Sequence, residues 1–259
     1  MKITILQTDI IWGCPEENIC HVEALIDAST KSDLYVLPEM WDTGFTTAPQ
    51  GIAADEQTSA ALRWMRTTAA HRQCAICGSL AVKATNGMYR NRHYFIAPGY
   101  ETWYDKHHLF SPGGEDKHFV SGAMPVVATW RGVRWLLLTC YDLRFPVFSR
   151  YGHAGEYDVI VCVANWPQKR QRVWEVLTHA RAVENQCYIV AVNRCGNDPA
   201  CHYAGGSLVA DPTGKTLVLC GEREESATIN LDMNKLAEMR QHFKVLDDRD
   251  VILSPYPTV

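Results

Sequence analysis

The sequence predicts an α/β fold in which helices cover the outside of packed sheets. Two observations support this prediction: short apolar runs rich in β-branched residues recur along the 259 residues, and segments with a helical spacing of apolar residues lie between several of these runs. The strand-like runs outnumber the helical segments and are almost continuously apolar, so we expect both faces of their sheets to be covered. A sandwich of two sheets with helices outside is one architecture that meets this expectation.

Ten apolar runs predict the strands. In chain order they read KITILQTDI, DLYVLPEM, AICGSLAV, HYFIAPG, VRWLLLTC, YDVIVCVANW, YIVAVNR, GSLVAD, TLVLCG and SATINL. An aromatic, strand-like stretch, YETWYDKHHLF, follows the fourth run. The segment ADPTGKTL predicts a hairpin, because Pro212 and Gly214 stand at turn positions.

Four segments predict helices by their apolar spacing. The first covers residues 18–31 and carries one apolar stripe, formed by Ile19, Val22, Leu25 and Ile26. Residues 57–71 and 168–184 show similar spacing, and residues 232–243 follow the last strand with Asp232 as a candidate N-cap. No internal repeat, low-complexity tract or Gly/Ser-rich linker divides the chain, so we expect residues 1–259 to form a single domain.

The composition is that of a globular protein, with 47% hydrophobic and 21% charged residues, which is ample material for a sizeable core. A formal net charge of -4 argues against nucleic acid as a partner, because it supplies no basic field for a phosphate backbone. The N-terminal segment MKITILQTDIIWG has too short an apolar run for a signal peptide, and no run approaches the roughly 18 apolar residues of a membrane span. We therefore expect a cytoplasmic protein.

The cysteines lie mostly inside apolar segments, which is typical of reduced, packed thiols and not of a disulfide framework. Cys74 and Cys77 form a C-x-x-C spacing, but their segment QCAICGSLAV predicts a strand, and no second C-x-x-C pair completes a zinc site. We predict that both are buried core residues.

Three strand-like runs end in a reactive residue instead of a turn former. Glu39 lies near the end of LYVLPEMW, Lys106 follows the stretch YETWYD, and Cys140 ends VRWLLLTC. Taken singly, each has a common structural role, as a solvated carboxylate, a surface charge and a packed thiol. Ligands in α/β folds bind outside the carboxyl ends of strands, so we predict that these three side chains meet there.

A glutamate, a lysine and a cysteine that lie together can form a catalytic site for acyl transfer. A cysteine thiol has a pKa of about 8.5, so a carboxylate held against it can accept its proton as general base and later return that proton to a leaving amine. A lysine ammonium favours the thiolate and donates to the oxyanion that forms when a carbonyl carbon is attacked. Such a site suits an amide or nitrile carbon that is transferred to sulfur and then released by hydrolysis of the thioester.

The sequence resembles the nitrilase superfamily of carbon–nitrogen hydrolases along essentially its whole length. The resemblance rests on ILQTD, LPEMWDTGF, YDKHHLF, LLLTCYDLRFP, ANWP, HARAVENQ and GGSLVADPTG. It implies a four-layer αββα sandwich of two mixed sheets, with Glu39 as general base, Lys106 as oxyanion stabiliser and Cys140 as nucleophile. It also implies a second catalytic-loop glutamate, Glu115 in SPGGEDKHF, and an oxyanion-hole contribution from the backbone N–H of Tyr141. From the residues alone, Glu115 is equally well explained as a loop carboxylate.

Within the superfamily, LPEMWDTGF, CYDLRFP and SPGGEDKHF resemble the ω-amidase branch, and the Tyr141-Asp142 pair departs from the CWE of true nitrilases. This resemblance implies hydrolysis of the terminal amide of short α-keto dicarboxylate monoamides, such as α-ketoglutaramate, with release of ammonia. It also implies a homodimer, for which the C-terminal tail (residues 245–259) is a candidate contact. A different amide, carbamoyl or ureido substrate, including deaminated glutathione, is an alternative within the superfamily.

Recognition of an α-keto dicarboxylate monoamide requires donors for the distal carboxylate and aromatic walls that exclude water. The candidates are Phe45, Phe110, Arg144 and Trp166, with His108 and Arg181 as secondary candidates. From the sequence alone, a structural salt bridge is the stronger interpretation of Arg144, and Trp166 is equally able to cap the core.

Two rival interpretations come from other classes of protein. Residues 107–118 contain a set that a metal-dependent hydrolase could use, namely His107, His108, Glu115, Asp116 and His118, but adjacent histidines diverge and no H-E-x-x-H spacing appears. A non-catalytic α/β binding protein with a merely packed cysteine is the second rival. Dinucleotide and P-loop motifs are absent from the sequence, so we predict no cofactor.

Overall fold

The computed structural model describes residues 1–251, which form two mixed sheets with helices outside. The strands of this part of the chain are β1 Lys2–Gln7, β2 Leu34–Val36, β3 Ala54–Asp55, β4 Ala75–Lys83, β5 Tyr89–Ala97, β6 Tyr100–Asp105, β7 Val126–Trp130, β8 Val133–Thr139, β9 Val159–Ala164, β10 Tyr188–Asn193, β11 Cys195–Asn197, β12 His202–Ala204, β13 Leu208–Ala210, β14 Thr216–Leu219 and β15 Glu225–Asn230. The helices are α1 Pro15–Ala28, α2 Ala60–Arg72, α3 Gln171–Glu184 and α4 Met233–His242.

Each sheet has parallel strands at its centre and antiparallel strands towards its edges. The first sheet has the order β15-β1-β2-β4-β5-β6, with β3 beside β4, and its strands β1, β2 and β4 are parallel. The second sheet has the order β14-β13-β10-β9-β8-β7, and its strands β8, β9 and β10 are parallel. Strands β11 and β12 form a separate hairpin. In each sheet, the carboxyl ends of the parallel strands therefore lie at one common edge.

The two sheets pack face to face, and their apolar inner faces form the main core. The residues that share this buried cluster include Ile3, Ile5 and Phe95 from the first sheet and Trp135, Leu137 and Val161 from the second. The rings of Phe95 and Trp135 meet across the interface with their centroids 6.0 Å apart. Burying a large apolar side chain of this kind contributes roughly 1.5–3 kcal/mol, so the inter-sheet core is a main source of stability.

The helices complete four layers in the order αββα, as the family resemblance implies. Helices α1 and α2 cover the first sheet, where Ile26 and Met65 pack against Ile76 in a second buried cluster. Helices α3 and α4 cover the second sheet through buried residues that include Trp174 and Leu236. The predicted α/β sandwich is therefore confirmed.

The helix starts differ from the predicted ones because local capping sets them. Helix α1 begins earlier than predicted, with Pro15 in its first turn, where the missing N–H of proline is not needed. Helix α2 begins later, because the Ser59 side chain caps it. Residues 168–170 form a 3₁₀ turn that precedes α3. The prediction of Asp232 as the N-cap of α4 is confirmed.

Four short strands were not predicted, namely β3, β7, β11 and β12. Strand β7 forms a hairpin with β8 through Arg131 and Gly132, which have φ angles of 47° and 75°. Two consecutive positive φ angles are the mark of a tight hairpin turn, and the Arg-Gly pair is the sequence signal for it. The predicted hairpin at Gly214 is confirmed as the β13–β14 connection. The edge strands β14 and β15 are partly exposed.

All ten cysteines are free, and Cys74 and Cys77 are buried as predicted. Within residues 1–251, no helix combines the length and apolar character needed to cross a bilayer. The predicted dimer-contact tail lies mostly in residues 252–259, outside the described residues, and stays a prediction.

Candidate active site

The residues at the centre of the site follow the carboxyl ends of strands from both sheets. Lys106 directly follows β6, Cys140 directly follows β8 and Asn165 directly follows β9, while Glu39 lies just beyond β2. Glu39 and Lys106 thus come from the first sheet, and Cys140 and Asn165 from the second. Of the three side chains predicted to meet at strand ends, Glu39 and Lys106 are in direct contact, with Nζ 2.8 Å from Oε1. Cys140 interacts with both of them electrostatically.

Glu39 is buried and hydrogen-bonded through both carboxylate oxygens. Its Oε1 accepts from Lys106 Nζ at 2.8 Å and from Asn91 Nδ2 at 2.8 Å. Its Oε2 accepts from the backbone N–H of Asn165 at 2.9 Å, and the side-chain amide of Asn165 donates to the Glu39 carbonyl at 2.5 Å. These bonds fix the orientation of the carboxylate and fasten it to the second sheet.

Lys106 lies between two carboxylates in a site that is closed to solvent. Its ammonium donates to Glu39 Oε1 and to Glu115 Oε2, each at 2.8 Å, and all three side chains are buried. Burial alone would lower the pKa of Lys106, but the charges of Glu115 and Glu39 outweigh it and raise this pKa above its ordinary value. The lysine is therefore a permanent cation. An ammonium has three N–H groups, so one remains beyond these two bonds.

Glu115 is the second carboxylate of this cluster, as the family resemblance implies. Its Oε2 accepts from the backbone N–H of Phe110 at 2.6 Å as well as from Lys106, and its Oε1 accepts from Asn91 at 3.0 Å. Burial raises the pKa of Glu115, although the Lys106 ammonium opposes this rise. Glu115 lies in a short turn between β6 and β7, next to Gly114, and its side chain is fully buried.

Cys140 occupies a strained turn at the end of β8. Its φ angle is 47°, in the left-handed region that a residue with a Cβ rarely adopts, and residues Cys140–Arg144 form a 3₁₀ turn. This sharp reversal from strand to turn brings the thiol to the cavity wall instead of into the sheet. The sequence signal, a cysteine at the exit of a buried strand, therefore has a structural basis.

The surroundings of Cys140 favour the thiol over the thiolate. Burial raises the pKa of Cys140 well above the ordinary value and Glu39 raises it further. The Lys106 ammonium lowers this pKa, as expected from sequence, but burial and Glu39 outweigh it. Sγ donates to the carbonyl of Asn165 at 3.9 Å and is not hydrogen-bonded to Glu39. Such bonds are often long before substrate binds.

Asp142 ties the Cys140 turn to the chain around Lys106. Its Oδ2 accepts from the Thr139 backbone N–H at 2.9 Å and from the Tyr104 hydroxyl at 2.8 Å. Its Oδ1 accepts from the backbone N–H of His108 at 2.9 Å. One buried carboxylate thereby holds Tyr104 and His108, which lie on either side of Lys106. It also holds Thr139, which precedes Cys140.

A cavity opens in front of Cys140. Five predicted site residues line it, namely Phe45, Phe110, Tyr141, Arg144 and Trp166. The guanidinium of Arg144 lies 5.3 Å from the Trp166 ring centroid, and no carboxylate among the described residues pairs with it. The structural salt bridge expected for Arg144 is therefore not found within residues 1–251. Trp166 is both a cavity wall and a core residue, because it is also packed against Trp174.

The two secondary candidates for substrate binding lie outside the cavity wall and have structural contacts. His108 stacks on Phe145 with ring centroids 3.8 Å apart and contacts Asp142 through Nδ1 at 2.9 Å. Arg181 is buried on α3, pairs with Glu184 and donates to the Leu143 carbonyl at 2.7 Å. Both residues support the turn that carries Cys140.

Several residues of the site were missed in the sequence. The cavity also has Asn165, Arg170, Cys201 and Tyr203 in its wall, and Asn91 contacts both carboxylates. Asn91 lies in β5 ahead of the run HYFIAPG and stands between Arg90 and Arg92, so a polar residue at this position was not a distinctive signal. Arg170 stands in the charged run QKR, which looks like ordinary surface. Its guanidinium lies 5.2 Å from the Phe110 ring centroid.

The residues that suggested a metal centre have different partners in space. Glu115 binds Lys106, His108 contacts Asp142, and His118 Nδ1 lies 3.5 Å from Gln50 Nε2. Among residues 1–251, no three His, Cys, Asp or Glu side chains converge on a point that could hold a metal ion. The sequence cluster between residues 107 and 118 is thus not a spatial cluster.

Comparison with known proteins identifies the family. The family model described as carbon-nitrogen hydrolase matches residues 2–241. The chain is 38% identical to an omega-amidase, YafV, of Escherichia coli strain K12, covering 96% of this chain and 97% of that protein. It is 36% identical to a 2-oxoglutaramate amidase of Bacillus subtilis strain 168, covering 96% and 98%.

A solved structure shows the same architecture. This is XC1258 of Xanthomonas campestris, a CN-hydrolase superfamily protein with an arsenic adduct in its active site. It superposes with a TM-score of 0.93 at 35% sequence identity, covering 98% of both chains. The match to the family model over almost the whole chain, together with these relatives, shows that the protein belongs to the carbon–nitrogen hydrolase family, as its sequence motifs imply.

Proposed function

We propose that the protein is an ω-amidase that hydrolyses the terminal amide of short α-keto dicarboxylate monoamides, such as α-ketoglutaramate, to the acid and ammonia. The observation that carries this proposal is a buried Glu39–Lys106–Glu115 cluster with Cys140 in the wall of a cavity. The same wall contains two arginines that have no carboxylate partner within residues 1–251. The names of the relatives from Escherichia coli and Bacillus subtilis support the same substrate class.

The first half of the reaction transfers the acyl group to sulfur. Sγ of Cys140 attacks the amide carbon while its proton passes to Glu39, so the protonated thiol needs a base only during attack. The carbonyl oxygen becomes an oxyanion, which the remaining N–H of Lys106 and the backbone N–H of Tyr141 stabilise. The C–N bond then breaks, the proton on Glu39 moves to nitrogen, and ammonia leaves a thioester on Cys140.

The second half releases the acid and restores the enzyme. Water attacks the thioester carbon and gives a proton to Glu39, and the same two donors stabilise the second oxyanion. The C–S bond breaks, the proton returns to sulfur, and the carboxylic acid product departs. Glu39 therefore moves a proton in both halves. Glu115 stays bonded to Lys106 and holds the ammonium in place.

Arg144 and Arg170 are proposed to bind the distal carboxylate of the substrate. Both guanidinium groups stack on aromatic rings in the cavity wall, which leaves their N–H edges available for a carboxylate. Phe45, Phe110 and Trp166 supply the apolar part of the wall that excludes water. An α-keto acid monoamide presents an amide at one end and a carboxylate at the other, and the cavity wall contains both a thiol and two guanidinium groups.

An ammonia-release screen tests the proposed substrate class. We expect the wild-type protein to prefer α-ketoglutaramate and α-ketosuccinamate over glutamine, simple aliphatic amides, carbamoyl and ureido compounds, deaminated glutathione and nitriles. A preference for glutamine, deaminated glutathione or a nitrile would leave only the family assignment in place. Activity that disappears on prolonged chelation would favour the metal-dependent alternative.

Replacing Arg144 by methionine is expected to raise KM for α-ketoglutaramate by about 10- to 100-fold, because a hydrogen bond to a charged group contributes about 1.5–3 kcal/mol. The kcat value and the hydrolysis of a small amide without a carboxylate should change little. Steady-state kinetics on both substrates measures this. Arg172→Met removes an exposed arginine of α3 and serves as the matched control. An equal loss for both substrates would instead indicate a structural role for Arg144.

We also propose a cytoplasmic homodimer. The free thiols support a reducing compartment. Exposed apolar side chains on α3 and β14, including Val176, Val183 and Leu219, support burial of this outer face against a second copy. A monodisperse monomer in light scattering at micromolar concentration would contradict the dimer.

A further inference from the structure

Asn91 on β5 closes a ring of hydrogen bonds through the two buried carboxylates. Its Nδ2 group donates to Glu39 Oε1 at 2.8 Å and to Glu115 Oε1 at 3.0 Å. Lys106 also bridges the two carboxylates, because its Nζ donates to Glu39 Oε1 and to Glu115 Oε2, each at 2.8 Å. The amide and the ammonium thus contact the same pair of anions, and Asn91 is itself buried.

The charges of this ring do not balance. Two carboxylates face one ammonium in a closed site, and two carboxylates that share such a site normally share a proton as well. A proton held between Glu39 and Glu115 would remove the base that the reaction requires. The amide of Asn91 supplies two N–H groups and no acid proton, so it stabilises both anions and cannot transfer a proton to either one.

Ser79 determines which end of the Asn91 amide faces the carboxylates. Its hydroxyl donates to Asn91 Oδ1 at 2.8 Å, and its oxygen accepts from the Met40 backbone N–H at 2.9 Å. A flipped amide would set its carbonyl oxygen against Glu39 and lose the Ser79 bond. Met40 follows Glu39 and has a φ angle of 42°, so Ser79 also holds the strained turn that carries the carboxylate.

We propose that Asn91, oriented by Ser79, is a positioning residue that keeps Glu39 and Glu115 ionised at the same time, so that Glu39 is free to act as the base. This inference rests on the proposed function for its catalytic meaning. Asn91 acts on the carboxylates and not on the substrate. Its removal should therefore change the pH dependence of the reaction and leave KM at high pH unchanged.

Strands β4 and β5 also contain a second buried side-chain pair, Cys77 and His93, which provides a control for Ser79 and Asn91. Cys77 and His93 lie two residues away on β4 and β5, on the same face as Ser79 and Asn91. Cys77 Sγ lies 2.9 Å from His93 Nε2, and His93 Nδ1 lies 3.2 Å from the Leu138 carbonyl. This pair is also buried but contacts neither carboxylate. Cys77→Ala therefore disturbs an equivalent buried contact without touching the ring.

The test compares wild type, Asn91→Leu, Ser79→Ala and Cys77→Ala across the acidic and neutral pH range. One readout is kcat/KM for α-ketoglutaramate, and the other is the rate at which iodoacetamide alkylates Cys140, measured by mass spectrometry. In Asn91→Leu, the acidic midpoint of both profiles should rise by about one pH unit or more, because the anions lose a donor. Ser79→Ala should shift both midpoints in the same direction by less, and Cys77→Ala should leave them unchanged.

Three results would overturn the inference: an unshifted midpoint in Asn91→Leu, a loss of rate that is equal at every pH, or an equal shift in Cys77→Ala. If Asn91→Leu does not fold, the Ser79→Ala profile decides. A wild-type protein that does not hydrolyse α-ketoglutaramate contradicts the proposed function alone, since the alkylation profile requires no substrate and still tests Asn91.

Discussion

Cys140→Ala is expected to abolish ammonia release while the protein keeps its fold and still binds its substrate. The substitution removes the only atom that forms the thioester, so kcat should fall by at least about four orders of magnitude. Alanine and cysteine meet the same backbone strain at a φ angle of 47°, so the turn should persist. The cavity wall, including Arg144 and Trp166, is unchanged.

Steady-state ammonia assays, calorimetric substrate binding and thermal unfolding together measure this outcome. Cys20→Ala removes an exposed thiol on α1 and is the matched control, which should retain full activity. Iodoacetamide should inactivate wild type in parallel with labelling of Cys140. Turnover near the wild-type rate in Cys140→Ala would contradict the assignment of Cys140 as the nucleophile. It would favour the interpretation of Cys140 as a merely packed cysteine.

Lys106→Met is expected to reduce both the rate and the stability, and the loss of stability should depend on pH. The ammonium forms two buried ion pairs, and removal of one partner of a buried pair costs about 3–5 kcal/mol. The rate should fall by about a thousandfold, because the oxyanion loses its charged donor. The Lys106→Met and Cys140→Ala changes should be non-additive, since the residues act as a unit.

The sign of the pH effect follows from the two carboxylates that remain. Burial raises the pKa of Glu115, and without the Lys106 ammonium that lowers it, the pKa rises further. A buried acid whose folded pKa lies above its unfolded value stabilises the fold at low pH, where it is protonated, and this stability is lost as pH rises through the folded pKa. The deficit of Lys106→Met relative to wild type should therefore grow from acidic to neutral pH.

Urea unfolding at several pH values measures this trend, and Glu39→Gln is the informative comparison. That variant keeps Lys106 paired with Glu115, so its free energy of unfolding should fall by much less than that of Lys106→Met. Its rate should nevertheless fall by several orders of magnitude, because the base is gone. A Lys106→Met protein as stable as wild type at neutral pH would contradict the described ion pairs.

The parts of the fold that the sequence predicted well are those buried on both faces. Strands such as β4, β8, β9 and β10 read as continuous apolar runs because helices cover one face and the other sheet covers the second. The strands that were not predicted, β3, β7, β11 and β12, leave no such run. Strand β7 has only one buried side chain, Ala128, and β3 has two residues. Their pairing depends on the neighbouring strand more than on their own residues.

The residues of the candidate site also differ in how clearly the sequence indicates them. Glu39, Lys106 and Cys140 are reactive residues placed at strand ends, so position and chemistry together indicated them. Asn165 contributes a backbone N–H to Glu39, and almost every residue type has such a group. Asn91 contributes a side-chain amide. Neither residue is therefore distinctive in the sequence. The bond from Asn165 to Glu39 joins residues 126 positions apart, and its existence depends on how the two sheets pack. No local pattern encodes that contact.

The direction in which the pKa of Cys140 is shifted was also beyond a local pattern. From sequence, the neighbouring lysine favours a thiolate. In the folded protein the same lysine is shared by two carboxylates, and burial raises the pKa of the thiol. The balance depends on solvent exclusion by residues from both sheets, which is a property of the packed molecule.

The division of the site between the two sheets has a consequence for the protein while it is being made. Translation delivers Glu39 and Lys106 long before Cys140, and the backbone donor of Asn165 that fixes Glu39 emerges later still. A ribosome-bound chain that ends before β9 therefore contains Glu39, Lys106 and Cys140 but lacks the backbone N–H that fixes the Glu39 carboxylate. The described arrangement of the site is therefore complete only when the second half of the polypeptide has folded onto the first.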